Sequence, residues 1–238
     1  MEDKQLDQAL VAAVFSQAAL RGWADVNIAE AARDAELPLG RVRARFPGRS
    51  AVLLRFGILA DEAALAVGSS EPSPRERLFD MVMSRFDALQ QHRGGILQLL
   101  RAMRTDPSTS FLLYGATLRS MKWLLDGASI PSTGVIGVLR VHGLLALWLY
   151  ALRAWEADES PDLSATMAAV DRGLDRAIQA ENMLPRRGPA EEAAAVFADA
   201  GLTGDDEAPE ATPPGAASPD GTDPDAVPPE PLPPAPPG

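Results

Sequence analysis

GWADVNIAEAARDAELPLGRVRARFPGRSAVL, residues 22–53, decides how the rest of the chain is read. Gly22 suits the end of a helix, because glycine enters the unusual backbone of a C-cap without steric cost. Asn27 suits the start of the next, with Glu30 three positions on in capping-box spacing. Apolar Ile28, Ala32, Ala35 and Leu37 then lead to a short third helix over about Leu39–Arg45. Pro47-Gly48 breaks the chain, and a fourth helix runs from about Arg49 to Val67. Two short helices joined by a tight turn, between two longer ones, make a helix-turn-helix unit.

The same stretch carries its charge unevenly. From Leu37 to Ala60 there are five arginines, Arg41, Arg43, Arg45, Arg49 and Arg55, and no acid. Arginines and helix N-termini are the common means of holding backbone phosphates, so the cluster is a candidate polyanion surface. The plainer reading is a solvated basic face.

Outward from this unit the pattern stays helical, with three- and four-residue apolar spacing and no useful run of period two. A first helix is expected over about Leu6–Arg21, with Leu6, Leu10, Ala13, Val14 and Ala18 on one stripe. Residues 68–73 read as a linker, and Pro74 suits the first position of a helix after Ser73. Five more helices are expected at about 74–92, 94–104, 109–126, 134–155 and 162–182. The expectation is an all-α chain of nine helices, with a head at 1–67, a larger helical bundle at 74–183 and a tail at 184–238.

The tail stands apart by composition. After Gly188 there are eleven acidic residues and no Lys or Arg, so the net charge of −11 belongs to it, and residues 1–188 hold acids and bases in equal number. From Asp205 onward Pro, Ala, Gly, Asp and Glu dominate, a composition expected to be disordered. A short helix is expected at 189–201. So acidic a tail could also compete with nucleic acid for the basic face.

Several function classes lack their residues. There is no cysteine, hence no disulfide framework or thiolate metal site. The N-terminus does not read as a signal peptide, and the most apolar run, Gly143–Ala151, is short for a bilayer and closed by Arg153. A soluble, cytoplasmic protein is expected. His92 and His142 belong to no local cluster of ligands. His92 reads as a helix C-terminal residue on the dipole, and His142 as a core or pocket side chain. No Gly-rich phosphate loop or nucleophile elbow is present, so neither an enzyme nor a cofactor is expected.

Residues 22–53 resemble the DNA-binding head of TetR-family transcriptional regulators without a gap. The likeness lies in Gly22, Asn27, Ile28, Ala32, Ala35, Leu37, Gly40, Val42, Phe46, Arg49 and Val52-Leu53. It implies that Ile28, Leu37, Val42 and Phe46 clamp helices two and three, and that the third helix enters the major groove of double-stranded DNA. Asn27, Gly40, Arg41, Arg43, Arg45 and Arg49 are the implied DNA-binding residues. At three positions the chain differs from that family: Glu36 stands for Gly, Pro38 for Ser or Thr, and Arg43 for Tyr.

The chain is also similar, more weakly, to a TetR-fold family of lipid-binding accessory proteins of ubiquinone biosynthesis. That likeness rests on Gly22-Trp23, Leu37-Pro38, Phe46-Pro47-Gly48, Trp155–Ser160, Thr166 and Asp171-Arg172, and implies a lipid or isoprenoid ligand and no DNA. The regulator resemblance implies a homodimer through the last two helices and a small apolar effector in the bundle. Met83, Phe86, Met103, Tyr114, Met121, Trp123 and Trp148 are candidates to line its pocket, against the plainer reading of ordinary core.

Overall fold

The computed structural model describes residues 2–67 and 73–183, which fall within one compact unit spanning residues 1–185. The acidic tail, the short helix expected at 189–201 and most of the linker lie outside the described residues. Among the described residues there are nine α-helices and no strand. They are α1 (Asp3–Arg21), α2 (Ile28–Asp34), α3 (Leu39–Arg45), α4 (Arg49–Val67), α5 (Pro74–Gln91), α6 (Arg93–Met103), α7 (Pro107–Gly127), α8 (Gly134–Ala157) and α9 (Ser164–Met183). A single 3₁₀ turn, Trp23–Asp25, joins the first two.

Local chemistry accounts for the ends. Gly22 closes α1 at φ 88°. Asn27 caps α2, its Oδ1 accepting from the amides of Ala29 at 2.9 Å and Glu30 at 3.2 Å. The reciprocal half of the expected capping box is missing. Glu30 instead accepts from Arg21 Nη1 at 2.7 Å, and the Asn27 amide donates to Gln17 Oε1 at 2.8 Å. A side chain of α1 thus completes the cap. Helix α7 starts two residues before the apolar pattern suggests, because Asp106 accepts from the Thr109 amide at 3.1 Å and Pro107 tolerates the first turn.

The α2–α3 turn is strained. Glu36 adopts φ 54°, a left-handed backbone that costs a side-chain-bearing residue about 1–2 kcal/mol. The turn is held by the Leu37 amide on Ala32 O at 2.8 Å. This is the position where the resemblance calls for glycine.

Helix α1 lies in the middle. One face buries Leu6, Leu10, Val14 and Ala18 together with Val42, Phe46, Val52 and Leu53 of the head. Its other side meets α6 with almost no spacer, since a Cβ on Gly95 would fall 2.3 Å from the Phe15 carbonyl oxygen. Phe15, Trp23, Phe56 and His92 form an aromatic group there, with the His92 ring stacked on Phe15 at 5.4 Å. His92 is therefore a packing residue between α5 and α6. It caps the C-terminus of α5, the helix end expected of it, and burial lowers its pKa. His142 differs from expectation: it is exposed on α8, with Nδ1 2.8 Å from Val138 O.

Helix α8 is long and apolar enough, by length and composition, to cross a bilayer. The continuous helix is therefore much longer than the run Gly143–Ala151 considered alone. Its Leu144, Leu147, Trp148, Ala151 and Trp155 are core residues, and it packs against α9 and α7. Trp155 donates to Gln90 Oε1 at 3.0 Å, and Arg93 covers its ring at 4.7 Å while holding the carbonyls of Trp155 and Glu156. The turn into α9 is tied by Asp158, which accepts from the Thr166 amide and hydroxyl, both at 2.8 Å.

Candidate functional site

The five arginines of residues 37–60 do not form one surface. Arg41 and Arg45, one turn apart on α3, both point back to α1. Arg41 Nη2 lies 2.6 Å from Asp3 Oδ1. Arg45 forks onto Asp7 through Nε and Nη2, the latter at 2.7 Å, with Asp3 at 3.5 Å as a second partner. Asp7 has no exposed side-chain surface, and Arg55 of α4 takes its Oδ2 at 2.6 Å. Burial alone would raise the Asp7 pKa, but the hydrogen bonds and charges of Arg45 and Arg55 outweigh it and hold the carboxyl below its ordinary value. Arg49 is spent on the backbone, donating through Nη1 to Trp23 O at 2.8 Å and Ala24 O at 2.7 Å.

Of the arginines that the resemblance assigns to DNA, Arg41, Arg45 and Arg49 thus have partners within the chain. Arg45 and Arg55 lock α3 and α4 onto α1, and Arg49 closes the 3₁₀ turn. Arg41 stays nearly half exposed beside Asp3. Arg43 is exposed and makes no ion pair among the described residues.

What α3 presents outward is consequently narrow. Val42 and Phe46 are sunk into the head core with Leu37, and Ile28 packs against them half-buried, as the clamp requires. Leu39, Gly40, Arg43 and Ala44 face solvent. A Cβ on Gly40 would meet nothing of the protein within 4 Å. Asn27 is exposed at the N-terminus of α2, its Oδ1 already engaged by the cap.

A second site lies in the body. A cavity of about 690 Å³ opens between α4, α5, α6, α7 and α8. Its walls are mostly apolar, with Phe56, Leu65, Leu99, Leu113, Trp123 and Leu152 among them. Of the pocket residues expected from sequence, Met103, Tyr114, Trp123 and Trp148 line it. Met83, Phe86 and Met121 do not. Phe86 and Met121 are fully buried core, Phe86 stacking on Trp148 at 4.5 Å, and Met83 packs half-buried against that core.

Sequence reasoning missed the polar residues of this cavity. Arg85 of α5 and Asp61 of α4 form an ion pair on its wall, and Ser120 of α7 donates to Asp61 Oδ2 at 2.6 Å. The signal was present. Arg85 falls on the buried stripe Leu78, Met81, Val82, Phe86, Leu89, where a charge is out of place.

The residues behind the lipid-protein resemblance hold the end of the bundle together. Trp155 and Asp158 act as described above. Asp171, with Asp175, pairs with Arg75 at 2.7 Å, joining α9 to α5. Arg172 donates to Tyr150 and lowers its pKa.

The outer face of α8 is apolar and largely exposed among the described residues. Val135, Val138, Leu139, Leu149 and Tyr150 are more than two-fifths exposed, and Met167 and Ile178 of α9 border them.

Against known proteins the sequence itself is silent: no family model and no curated protein matches it. The structure does match. A TetR transcriptional regulator of Nitrosomonas europaea superposes with a TM-score of 0.60 at 18% identity, over 74% of this chain and 99% of that one. A TetR regulator of a Rhodococcus species does so with a TM-score of 0.50 at 15% identity, over 74% and 97%. The all-α chain has the fold of TetR-family transcriptional regulators.

Proposed function

We propose that this protein is a DNA-binding transcriptional regulator, repressor-like in action, controlled by a small apolar molecule held in the body. The observation that carries the reading is the pose of α3. Val42 and Phe46 fix it to the head, while Leu39, Gly40, Arg43 and Ala44 are exposed to solvent. In the major groove Gly40 permits close approach, Arg43 meets phosphate or a guanine edge, and Arg41 adds a contact once it leaves Asp3. Helix α4 supplies the link to the ligand. Its first turns hold Arg49 and Arg55 against the head, and residues from Leu53 to Leu65 wall the cavity. An occupant that displaces α4 shifts the population toward heads that no longer match two half-sites.

Two-headed binding requires a pair of chains, and the exposed apolar stripe of α8 with Met167 and Ile178 of α9 supports a homodimer. The protein acts in the cytoplasm, with α8 serving this interface and not a membrane span, and it catalyses no reaction.

One observation favours a second reading, a lipid- or isoprenoid-binding accessory protein without DNA. Arg45, Arg49 and Arg55 are consumed internally, which leaves few charges for phosphate, whereas the apolar cavity is fully formed.

A single preparation separates the two. Purified full-length protein and Arg43→Glu are offered sheared fragments of their own genome at about 100 mM salt, where nonspecific binding is already weakened. The regulator retains a discrete fragment set and the variant none. An organic extract of the same protein is examined by mass spectrometry. A stoichiometric lipid, with no fragment retained by either protein, replaces the first reading by the second.

A further inference from the structure

The cavity's wall carries one polar node, and its composition is informative. Arg85 is buried, its side chain 6% exposed, and Nη1 meets Oδ1 of Asp61, which is 16% exposed. Both residues line the cavity. Trp148 lies beneath the guanidinium, 5.0 Å from its carbon to the ring centroid. Burial draws the Arg85 pKa down to about 10, so the group remains cationic at neutral pH. The pair is electrically balanced.

Its hydrogen bonding is not. Asp61 Oδ2 accepts from Ser120, while its Oδ1 faces Arg85 Nη1 in the ion pair without forming a regular hydrogen bond. Arginine has five N–H donors, and among the described residues Asp61 is the acid they meet. Nε and Nη1 are both fully buried without a hydrogen-bond acceptor among the described residues, which leaves Nη2 as the nitrogen a cavity ligand can reach. Buried donors are nearly always satisfied, so most of the unused capacity at this node lies on the donor side.

We propose that the cavity binds an elongated apolar molecule with an uncharged oxygen acceptor, a ketone, ester or lactone carbonyl, which Arg85 receives. The alternatives each meet an obstacle. A carboxylate brings another negative charge beside Asp61, and Arg119, the wall cation without an ion pair among the described residues, is exposed to solvent and offsets it little. An amine finds Asp61 Oδ2 taken by Ser120 and Oδ1 held against Arg85, which repels it. A pure hydrocarbon leaves the Arg85 donors unanswered. A carbonyl adds no net charge and supplies an acceptor. The volume of about 690 Å³ lies well within the range of pockets that enclose small organic ligands, roughly 300–1,000 Å³. The inference rests on the ligand cavity invoked above, and is independent of whether the protein binds DNA.

The test uses the full chain and a fluorescent apolar reporter, N-phenylnaphthylamine, displaced by decane, decanoate, decylamine or methyl nonyl ketone. The ketone is expected to displace the reporter at concentrations about tenfold lower than the other three, the ratio set by one recovered hydrogen bond. The variant Arg85→Gln with Asp61→Asn removes both charges together, so neither is left buried alone. It should keep the reporter and lose the ketone preference. Decanoate displacing as well as the ketone, or an unchanged preference in the double variant, overturns the inference while leaving the cavity as a ligand site. Failure of the wild-type chain to take up any reporter overturns the cavity reading itself.

Discussion

Arg45 of α3 grips Asp7 of α1 from both sides of its fork, and Arg55 of α4 takes the same carboxylate at 2.6 Å. One buried acid thereby fixes the angle between three helices of the head. Asp7→Ala leaves two guanidinium groups facing an empty site at the protein's edge, and should cost about 2–3 kcal/mol in urea unfolding, below the cost of breaking a fully buried pair because both arginines reach solvent. The pH dependence has a definite sign. The folded-state pKa of Asp7 is depressed, so its contribution is complete above the unfolded value of about 3.9 and is lost as pH falls through the folded value. Asp7→Asn should flatten that part of the acid limb.

His92 adds a loss of stability on acidification at higher pH. Burial against Phe15 and Phe56 lowers its pKa, so the unfolded chain binds the proton more readily than the native one. Stability is full above pH 6.5 and declines as pH falls below it toward the folded value. His92→Phe should abolish the decline between pH 6.5 and 5 in thermal melts.

Two glycines distinguish scaffold from contact surface. Gly95→Ala places a methyl group 2.3 Å from the Phe15 carbonyl oxygen, which backbone alone must relieve, and should cost about 2 kcal/mol or more. Gly40→Ala meets nothing and removes a helix-interior glycine, so it should be neutral or raise stability by about 0.5–1 kcal/mol. The same change should weaken DNA binding at least tenfold by holding the duplex away from α3. Undiminished affinity in Gly40→Ala would remove α3 from the interface.

The pairing face is tested by charge. Leu139 is half exposed on α8 and does no core work. Leu139→Glu should leave the helical content unchanged and halve the mass seen by light scattering. An unchanged mass would place the contact elsewhere or leave the chain monomeric.

The fold was legible in the sequence because helix punctuation is local. Gly22, Asn27, Pro47-Gly48 and Ser73-Pro74 each mark an end by their own backbone chemistry. The head's core was legible through the resemblance, which placed Val42 and Phe46 in it. The arginines were not. Whether Arg45 meets phosphate or Asp7 depends on residues 38 positions apart in sequence. Even so, Asp7 lies on the same stripe as Val11 and Val14, and Arg85 on the stripe of Met81 and Phe86. A charge in register with a buried face is the readable sign of an internal partner. The cavity escaped because Phe86, which is core, and Trp148, which lines the wall, differ only in what lies behind them.

The most direct measurement is the salt dependence of DNA binding by the wild-type chain and by Arg43→Ala, on a fragment the wild type retains. Each phosphate contact contributes about 0.9 to the slope of log affinity against log salt, so losing Arg43 from both heads of a dimer should reduce the slope by roughly 1.8. Equal slopes, or no retained fragment at about 50 mM salt, would contradict an α3 that reaches DNA through this residue.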